Sequence, residues 1–245
     1  HYGAGVSTYR SFGFQMNRST IDNSSGGFTG GLDMRYVKQA RIENSTLSNN
    51  TGIYYGGVLI VGGANQLSGL TITGNEAQGI GGMLVAPSFA LGSTEPNTLS
   101  HSIISGNSIT PSPPPPVSNE LYVVSNFLTI NNYNILGQNG DSGTLGVPLG
   151  ASDQVPVGAT NTVIDINLAD NGGDTFTHLP VPGGIAVDGG RNWCNLYQDQ
   201  RGFMRPWNGG VANKCDVGAV EYGSVASSDL IFKDGFDAEI ILRRK

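Results

Sequence analysis

The sequence predicts an all-β chain that coils into a right-handed parallel β-helix, a solenoid built from short strands. Three observations predict this class: a composition poor in charge and rich in glycine, a repeat of about 25 residues, and a short strand pattern in each repeat. The 245 residues include 37 glycines, and only 13% of the residues are charged, against about a quarter in an average domain. This composition favours turns and strands over helices, while the 38% of hydrophobic residues are enough for a core.

The repeat appears when the chain is compared with itself. The segment Ser19–Asp22 aligns with Ser45–Ser48 and with Leu70–Thr73, and the central residues Ile21, Leu47 and Ile72 lie 26 and 25 residues apart. Further copies centre on Ile104 and Leu136. Since side chains alternate along a strand, the central residue should point inward and its two neighbours outward. We therefore expect parallel coils, about seven or eight in all.

Turn residues recur at fixed offsets from these centres. Nine residues after the first three centres come the glycine pairs Gly30-Gly31, Gly56-Gly57 and Gly81-Gly82. Three residues after a centre come Asn50, Asn75 and Asn107. We expect the glycines to turn where a Cβ would clash, and each asparagine to adopt the left-handed conformation and bond its stacked copy.

Charge and cysteine usage narrow the function classes. The net charge of −6 argues against a duplex nucleic-acid binder, which needs a clustered basic surface. Cys194 and Cys215 are expected to form one disulfide bond, which implies an oxidising compartment. The chain contains no apolar run of 18 residues, so no membrane span is predicted. Because it begins at His1 without a signal peptide, we expect a mature or trimmed form.

Two resemblances add to this interpretation. The apolar-x-x-Asn and Gly-Gly-apolar repeats are similar to those of the chlamydial polymorphic outer membrane proteins. The motifs of the second half are His101–Asn107, Tyr133–Gly137, Leu168–Pro180, Ala186–Gly190, Asp199–Gly202 and Cys215–Glu221. In this order they resemble the choice-of-anchor Q domain proteins of bacteria, over roughly residues 100–222. The resemblance implies a secreted β-helix with an anchoring or sorting signal, at the extracellular or outer-membrane surface of a bacterium.

The chain is predicted to divide into three parts. Residues 1–165 form the coils, residues 166–222 form a C-terminal cap carrying the disulfide, and residues 223–245 form a tail. Within the tail, Asp229–Asp237 resembles a short C-terminal sorting tag, and a last β segment is the other interpretation. The stretch Pro111–Pro116 is expected to be a stiff polyproline insertion between coils.

Five charged residues are the candidates for catalysis. Asp33 and Arg35, and likewise Arg41 and Glu43, should point outward from neighbouring strands of one coil, with Lys38 in the bend between them. Acid–base chemistry of this kind would suit a polysaccharide lyase or a glycoside hydrolase that acts on an acidic polysaccharide. Surface salt bridges are the simpler interpretation, because the charges are adjacent and of opposite sign. Whether the protein is an enzyme stays open, with the balance against it.

The predicted cap holds the candidates for a metal site. Asp170, Asp174 and Asp188 offer the hard oxygen ligands that Ca²⁺ prefers. The other interpretation makes the acidic and arginine residues of the cap a structural network, with His178 a structural histidine. No other cofactor is expected.

The remaining observations concern binding. Tyr54, Tyr55, Trp193 and Trp207 can stack on sugar rings or pack in the structure. Two outward ladders are expected, and flat ladders favour a binding surface over an active site. One contains Thr20, Thr46 and Thr71, and the other contains Asp22, Ser48, Thr73 and Ser105. The predicted function is therefore a non-enzymatic surface module, adhesin-like or structural, that binds a polysaccharide or another cell-surface ligand. The oligomeric state stays open.

Overall fold

The computed structural model describes residues 4–88, 95–110, 119–192, 194, 196–206 and 214–225, and the backbone of 230–232 and 240–242. The described residues form an all-β parallel solenoid of about five turns, with a Cys194–Cys215 disulfide bond in the C-terminal region. The predicted fold class and the cysteine pair are confirmed, while the direction of coiling stays a prediction. The expected seven or eight coils are wrong, because the described residues within 159–222 pack against the outside of the coils instead of adding new ones.

Three parallel sheets run along the described part of the solenoid. The first contains β1 (Val6–Tyr9), β5 (Leu32–Lys38), β8 (Val58–Gly63), β11 (Met83–Ala86), β15 (Leu121–Val123) and β18 (Thr144–Leu145). The second contains β2 (Gln15–Asn17), β3 (Thr20–Asp22), β6 (Arg41–Ser48), β9 (Gln66–Thr73), β12 (Asn97–Ser100), β13 (Ile103–Ile104), β16 (Leu128–Thr129) and β17 (Ile135–Leu136). The third contains β4 (Ser25–Gly26), β7 (Thr51–Gly52), β10 (Glu76–Ala77) and β14 (Ser108–Ile109).

The predicted repeat matches the register of the second sheet. The residues Ile21, Leu47, Ile72, Ile104 and Leu136 are direct partners on successive strands. All five are buried. The apolar centre of each repeat thus stacks on the next, so the core is a column of equivalent side chains along the solenoid.

The asparagines form a ladder inside the coils. Asn50 Nδ2 donates to Asn75 Oδ1 over 2.9 Å, and Asn75 Nδ2 donates to Asn107 Oδ1 over 2.8 Å. The expected left-handed conformation of these residues is wrong, since the positive φ falls one residue earlier, at Asn49 (55°), Gly74 (66°) and Gly106 (78°). An asparagine that follows the bend, rather than forming it, can turn its amide inward.

The glycine pairs lie at bends, and a Cβ would clash there as expected. A Cβ on Gly56 would lie 2.4 Å from the carbonyl oxygen of Gly81, and one on Gly57 would lie 2.6 Å from that of Gly82. Both distances are closer than real Cβ atoms approach such an atom. Glycine is therefore required here by the close contact of successive coils.

Two predicted features fall wholly or partly outside the described residues. The polyproline stretch Pro111–Pro116 lies outside them. In the tail, β19 (Leu230–Phe232) pairs antiparallel with β20 (Ile240–Leu242), while Asp229 and residues 233–237 of the suggested tag also lie outside. The role of the tag stays a prediction.

Candidate functional site

The C-terminal segment, the described residues within 159–222, lies along the side of the coils against the second sheet. Thr46 Oγ1 donates a hydrogen bond to Gln200 Oε1 over 2.6 Å, and Gln200 Nε2 donates to Thr20 Oγ1 over 2.8 Å. One coil further on, the backbone N–H of Ala219 donates to Thr71 Oγ1 over 3.0 Å. The predicted cap therefore covers the outward threonine ladder, rather than only closing the end of the solenoid.

The second outward ladder, which contains Ser48 and Ser105, is covered in the same way. Ser48 Oγ lies 2.8 Å from His178 Nε2, and His178 Nδ1 lies 2.8 Å from the carbonyl oxygen of Asp165. Ser105 Oγ lies 2.8 Å from Thr160 Oγ1. Ser48, Ser105 and His178 are all buried, so the Ser48–His178 pair cannot reach a substrate. The expectation of flat, exposed Ser/Thr ladders is wrong, because these hydroxyls are the attachment points of the C-terminal segment.

Burial favours the neutral form of the His178 imidazole. It lowers the pKa of the imidazole below its ordinary value, although the carbonyl of Asp165 and the nearby Asp165 and Asp22 carboxylates oppose the shift. A neutral imidazole accepts a hydrogen bond with one nitrogen and donates with the other. This matches the two contacts of the ring, a serine hydroxyl and a backbone carbonyl oxygen.

Residues 197–205 of the C-terminal segment form a small antiparallel hairpin over the coils. The Asp199 N–H donates to the Phe203 carbonyl over 2.8 Å, and the Arg205 N–H donates to the Tyr197 carbonyl over 2.9 Å. The Asp199 carboxylate accepts hydrogen bonds from the Arg201 guanidinium and from the Phe203 N–H. Because the Asp199–Arg201 pair is buried, the hairpin has a rigid base.

A second buried network supports the hairpin next to the disulfide. Arg205 lies 3.5 Å from Glu221 and donates to the carbonyl oxygens of Asp216 and Gly218 over 3.0 and 2.7 Å. Burial raises the pKa of the Asp216 carboxyl to about 6, against the opposing effect of N–H donors and of Arg205. The acidic and arginine residues of this region thus bond to one another, as the structural interpretation predicts.

An open groove lies between the hairpin and the second sheet. Its cavity volume is about 490 Å³, and its lining residues are Asn17, Arg18, Glu43, Asn44, Leu196, Tyr197, Gln198 and Met204. We call this the hairpin groove. Asn17 and Glu43 are direct partners on β2 and β6, so the sheet supplies one wall and the C-terminal segment the other. Tyr197 is 84% exposed, so its ring is open to solvent at the edge of the groove.

Asn44 is the unusual residue of this groove. It interrupts β6 with a φ of 44°, and Gly69 occupies the left-handed position of the next coil with a φ of 62°. The asparagine is only 5% exposed, yet its Oδ1 atom has no hydrogen-bond partner among the described residues. Leaving a buried acceptor unsatisfied costs about 1–3 kcal/mol, so this atom calls for an explanation.

The structure divides the five catalytic candidates between two sheets. Asp33 and Arg35 lie on β5 of the first sheet, with Lys38 at the end of that strand, while Arg41 and Glu43 lie on β6 of the second. Asp33 is buried and holds Arg35 through two hydrogen bonds of 2.8 and 2.6 Å. Such a bidentate pair makes the Asp33 carboxylate a partner of Arg35, not a free acid or base.

The second charged pair is looser and closer to the groove. Arg41 lies 3.8 Å from Glu43, and their side chains are 59% and 26% exposed. The partners of Glu43 on adjacent strands are Asn17 and Ser68. No second carboxylate therefore stacks on Glu43 in the described register, so the paired carboxylates of a glycoside hydrolase are not assembled here.

Aromatic residues also gather at the corner before the first sheet. The ring centroids of Phe28 and Tyr54 are 4.9 Å apart, and those of Phe28 and Tyr55 are 5.4 Å apart. Tyr54 is 51% exposed, whereas burial raises the pKa of Tyr55. Of the aromatic candidates, Trp193 and Trp207 lie outside the described residues.

The calcium candidates do not come together. Asp170 accepts a hydrogen bond from the Gly172 N–H over 3.1 Å, and Asp174 lies 3.9 Å from Arg18. The backbone N–H of Asp188 donates to Asp216. Within the described ranges, no group of three or more His, Cys, Asp or Glu residues is placed to hold a metal ion.

Comparisons with known proteins found no match to this chain among protein-family models, curated proteins or solved structures. The part of the chain that the structure describes also includes no helix long and apolar enough to cross a membrane. The site must therefore be interpreted from its own geometry.

Sequence reasoning missed most of the groove. It singled out Glu43, but not Asn44, Leu196, Tyr197, Gln198 or Met204. One usable signal was present, since Asn44 aligns with Gly69 in the repeat and an asparagine opposite a glycine indicates a left-handed bend. The approach of residues 196–204 had no such signal, because it depends on how an irregular segment folds back.

Proposed function

We propose that this chain is a non-enzymatic glycan-binding module at the extracellular or outer-membrane surface of a bacterium. The observation that carries the proposal is the hairpin groove, where an exposed tyrosine faces solvent beside amide side chains. The solenoid acts as the rigid support, and the C-terminal segment supplies the second wall of the site. In this role the protein is adhesin-like or structural.

The chemistry of the groove suits a sugar. The Tyr197 ring offers a flat apolar surface to the C–H face of a pyranose, and Met204, 40% exposed, extends this surface. The side chains of Asn17 and Gln198 each offer both donors and acceptors, which match hydroxyl groups. A volume of about 490 Å³ lies within the usual range for ligand sites, about 300–1,000 Å³.

Two observations support the location. A disulfide bond between Cys194 and Cys215 is typical of an oxidising compartment. The motifs of residues 100–222 resemble those of the choice-of-anchor Q domain proteins, which are secreted. We extend the proposal to membership of that family and to anchoring or sorting through the C-terminal tail.

A binding screen tests the function. The purified chain is applied to an array of plant, animal and bacterial glycans, and hits are measured by titration calorimetry. We expect at least one hit, with an affinity that Tyr197→Ala lowers about tenfold or more. Tyr54→Ala, which removes an exposed tyrosine at the distant corner, is the matched control and should leave the affinity unchanged. No hit, or equal effects of the two variants, would contradict the proposal.

A degradation screen tests the non-enzymatic part. The protein is incubated with pectic, alginate, glycosaminoglycan and bacterial polysaccharides, with and without Ca²⁺, and new reducing ends and unsaturated products are measured. We expect no product. Product from any polysaccharide would contradict the non-enzymatic proposal and indicate a lyase or hydrolase. The Arg41–Glu43 pair beside the groove would then be the first site to mutate.

A further inference from the structure

We infer that the hairpin groove is the first part of a longer track along the solenoid, and that its ligand is an unbranched β-1,4-linked glycan of about four or five sugars. This inference rests on the glycan-binding function proposed above. It adds the linkage and the length of the ligand, and it names the coils that the ligand contacts.

The outer face of the second sheet has two halves that differ in exposure. In the half that carries the Ser/Thr ladders, Thr46, Ser48 and Thr71 are buried, because the C-terminal segment lies on them. In the other half, the outward residues are exposed and are direct partners on five successive coils. They are Gln15, Arg41, Gln66, Thr98 and Thr129, and we call them the outer row.

A second row connects this exposed half to the hairpin groove. Asn17 and Glu43, which line the groove, are followed in register by Ser68 and Ser100 on the next two coils. The Ser100 hydroxyl donates to Ser68 Oγ over 2.9 Å, and both serines are partly exposed. We call these four residues the floor row. The floor of the groove thus continues along the solenoid beyond the hairpin.

The C-terminal segment follows the same direction as a side wall. A Cβ added at Gly69, next to Ser68 of the floor row, would lie 3.1 Å from Leu196 Cδ1. One coil further on, the Arg191 backbone nitrogen lies 3.5 Å from His101 Nε2. A ligand that extends out of the hairpin groove is therefore bordered by this wall and lies lengthwise across the coils.

The geometry of the track determines the linkage that fits. Neighbouring coils are about 4.8 Å apart, so the five coils of the outer row span about 19 Å. An extended β-1,4-linked chain of pyranose rings is nearly straight, and it advances by close to the coil spacing for each ring. Each sugar would then meet an equivalent position of the floor. In contrast, α-1,4- and β-1,3-linked chains curve into helices and would leave a straight track.

The side chains of the track suit the hydroxyl groups of such a chain. The amide of Gln66 and the hydroxyls of Ser68 and Thr98 can each donate and accept hydrogen bonds. Tyr197, at one end of the track, offers a flat apolar surface to one sugar ring. Binding should therefore combine one aromatic contact at the hairpin with hydrogen bonds repeated over the later coils, so the affinity should grow with ligand length.

Two variants test the part of the track that lies beyond the hairpin groove. Ser68→Ile places a larger side chain without hydrogen-bonding groups on the floor row, and β-branched residues are well tolerated in strands. Thr98→Ala removes one hydroxyl from the exposed outer row. The matched control is Thr51→Ile, because Thr51 is an exposed strand residue of the third sheet, away from the track.

The experiment is a length series measured by titration calorimetry. Oligomers of two to six β-1,4-linked glucose, mannose, xylose or N-acetylglucosamine units are compared with oligomers of the same sugars in other linkages, including α-1,4- and β-1,3-linked glucose. In the β-1,4 series that binds, we expect the affinity to rise about tenfold or more from the dimer to the pentamer and then to level off. Other linkages of the pentamer should bind about tenfold more weakly or worse.

The variants should show the same dependence on length. Ser68→Ile and Thr98→Ala should each weaken pentamer binding about 3- to 10-fold and leave dimer binding unchanged, whereas Thr51→Ile should change neither. Melting temperatures are measured for all variants. If Ser68→Ile lowers the melting temperature, Thr98→Ala, which alters only an exposed hydroxyl, decides the result.

The outcomes separate this inference from the proposed function. If no oligomer binds, or if Tyr197→Ala does not weaken binding, glycan binding at the groove fails, and the track fails with it. If Tyr197→Ala weakens binding but the dimer and pentamer bind equally well, the function stands and the track is wrong. Equal binding of other linkages would overturn the inferred linkage. Pentamer affinities that Thr98→Ala changes no more than Thr51→Ile does would show that the ligand does not lie along the coils.

Discussion

The coils are stabilised by contacts that repeat from coil to coil, whereas the C-terminal segment is stabilised by contacts that each occur once. In the coils, equivalent residues pair with their own copies: Asn50 with Asn75 and Asn75 with Asn107. In the C-terminal segment each contact is made once. Gln200 bonds to Thr46, and His178 bonds to Ser48. The two regions meet on the outer face of the second sheet, where the repeated hydroxyls of the coils receive the individual side chains of the segment.

This difference affects both stability and function. A ladder distributes its energy over neighbouring coils, so damage in one coil should spread along the solenoid. A segment attached at separate points should loosen locally, leaving the coils intact. The hairpin groove lies between the two, since one wall belongs to each region. Binding should therefore be lost in variants that affect either wall, while global unfolding should respond mainly to the coils.

The largest expected effect is in the interior ladder. Asn75→Ala removes the acceptor of the Asn50 N–H and one acceptor of its Nδ2. It also removes the Nδ2 donor to the Leu47 carbonyl and one of the two donors to Asn107 Oδ1. We expect a loss of about 3–5 kcal/mol in the free energy of unfolding, measured by urea denaturation. A loss below about 1 kcal/mol, or a loss confined to the C-terminal segment, would show that the ladder does not couple the coils.

Removing the disulfide should have a smaller and local effect. The cysteines are separated by 21 residues in sequence, and closing such a loop is worth about 3 kcal/mol. In the double variant Cys194→Ser/Cys215→Ser, we expect faster amide hydrogen exchange in residues 196–222 and weaker glycan binding. Exchange in β6 and β9 at positions that face the core should not change. Equal loss of protection in both regions would mean that the two unfold as one unit.

Glu120 lies at the end of the asparagine ladder, and it should make the free energy of unfolding depend on pH. Glu120 accepts hydrogen bonds from the Gly106 N–H and the Asn107 side chain, but burial raises the pKa of its carboxyl to about 7. Between pH 4.5 and 7 the folded state then keeps a proton that the unfolded state has lost. Unfolding releases that proton, so stability should fall as pH rises through this window.

The variant Glu120→Gln isolates this contribution. It is expected to begin less stable, because a side-chain NH₂ cannot accept from the N–H donors. Its stability should nevertheless fall less than that of wild type between pH 5 and 8, by about 2 kcal/mol. The comparison with wild type is needed because His101, whose pKa burial lowers to about 4, contributes with the opposite sign. Parallel pH profiles of the two proteins would contradict the prediction.

The smallest effect is expected where the segment attaches to the coils. Gln200→Ala removes the bonds to Thr20, Thr46 and Thr175. We expect a loss of about 1–2 kcal/mol, visible as faster exchange in the hairpin. The matched control is Gln66→Ala, on the uncovered part of the same sheet, where Gln66 is exposed. If both variants behave alike, the ladder hydroxyls do not hold the segment.

The features that could be predicted from the sequence are mainly those that belong to the repeat. The strand centres Ile21, Leu47 and Ile72 could be aligned because identical local requirements recur at a fixed spacing. Alternation along single strands, rather than the repeat spacing, identified the charged pairs Asp33–Arg35 and Arg41–Glu43. The hairpin groove could not be predicted, because the contact of Glu43 and Asn44 with residues 196–204 joins segments far apart in sequence that share no pattern. The predicted number of coils was wrong for a related reason. It was obtained by assuming that the whole chain coils with the period of the repeat.

The sequence by itself determined the strands, their inward and outward faces, the register of the coils and the cysteine pair. These features depend on local alternation and on a repeat that stacks each residue on its own copy. Only the tertiary structure decided that the C-terminal segment covers the Ser/Thr ladder. It also decided that Tyr197 and Asn44 share a groove. The physical reason is that the exposed polar face of a solenoid is equally satisfied by water or by protein, so nothing in the repeat specifies which of them will occupy it.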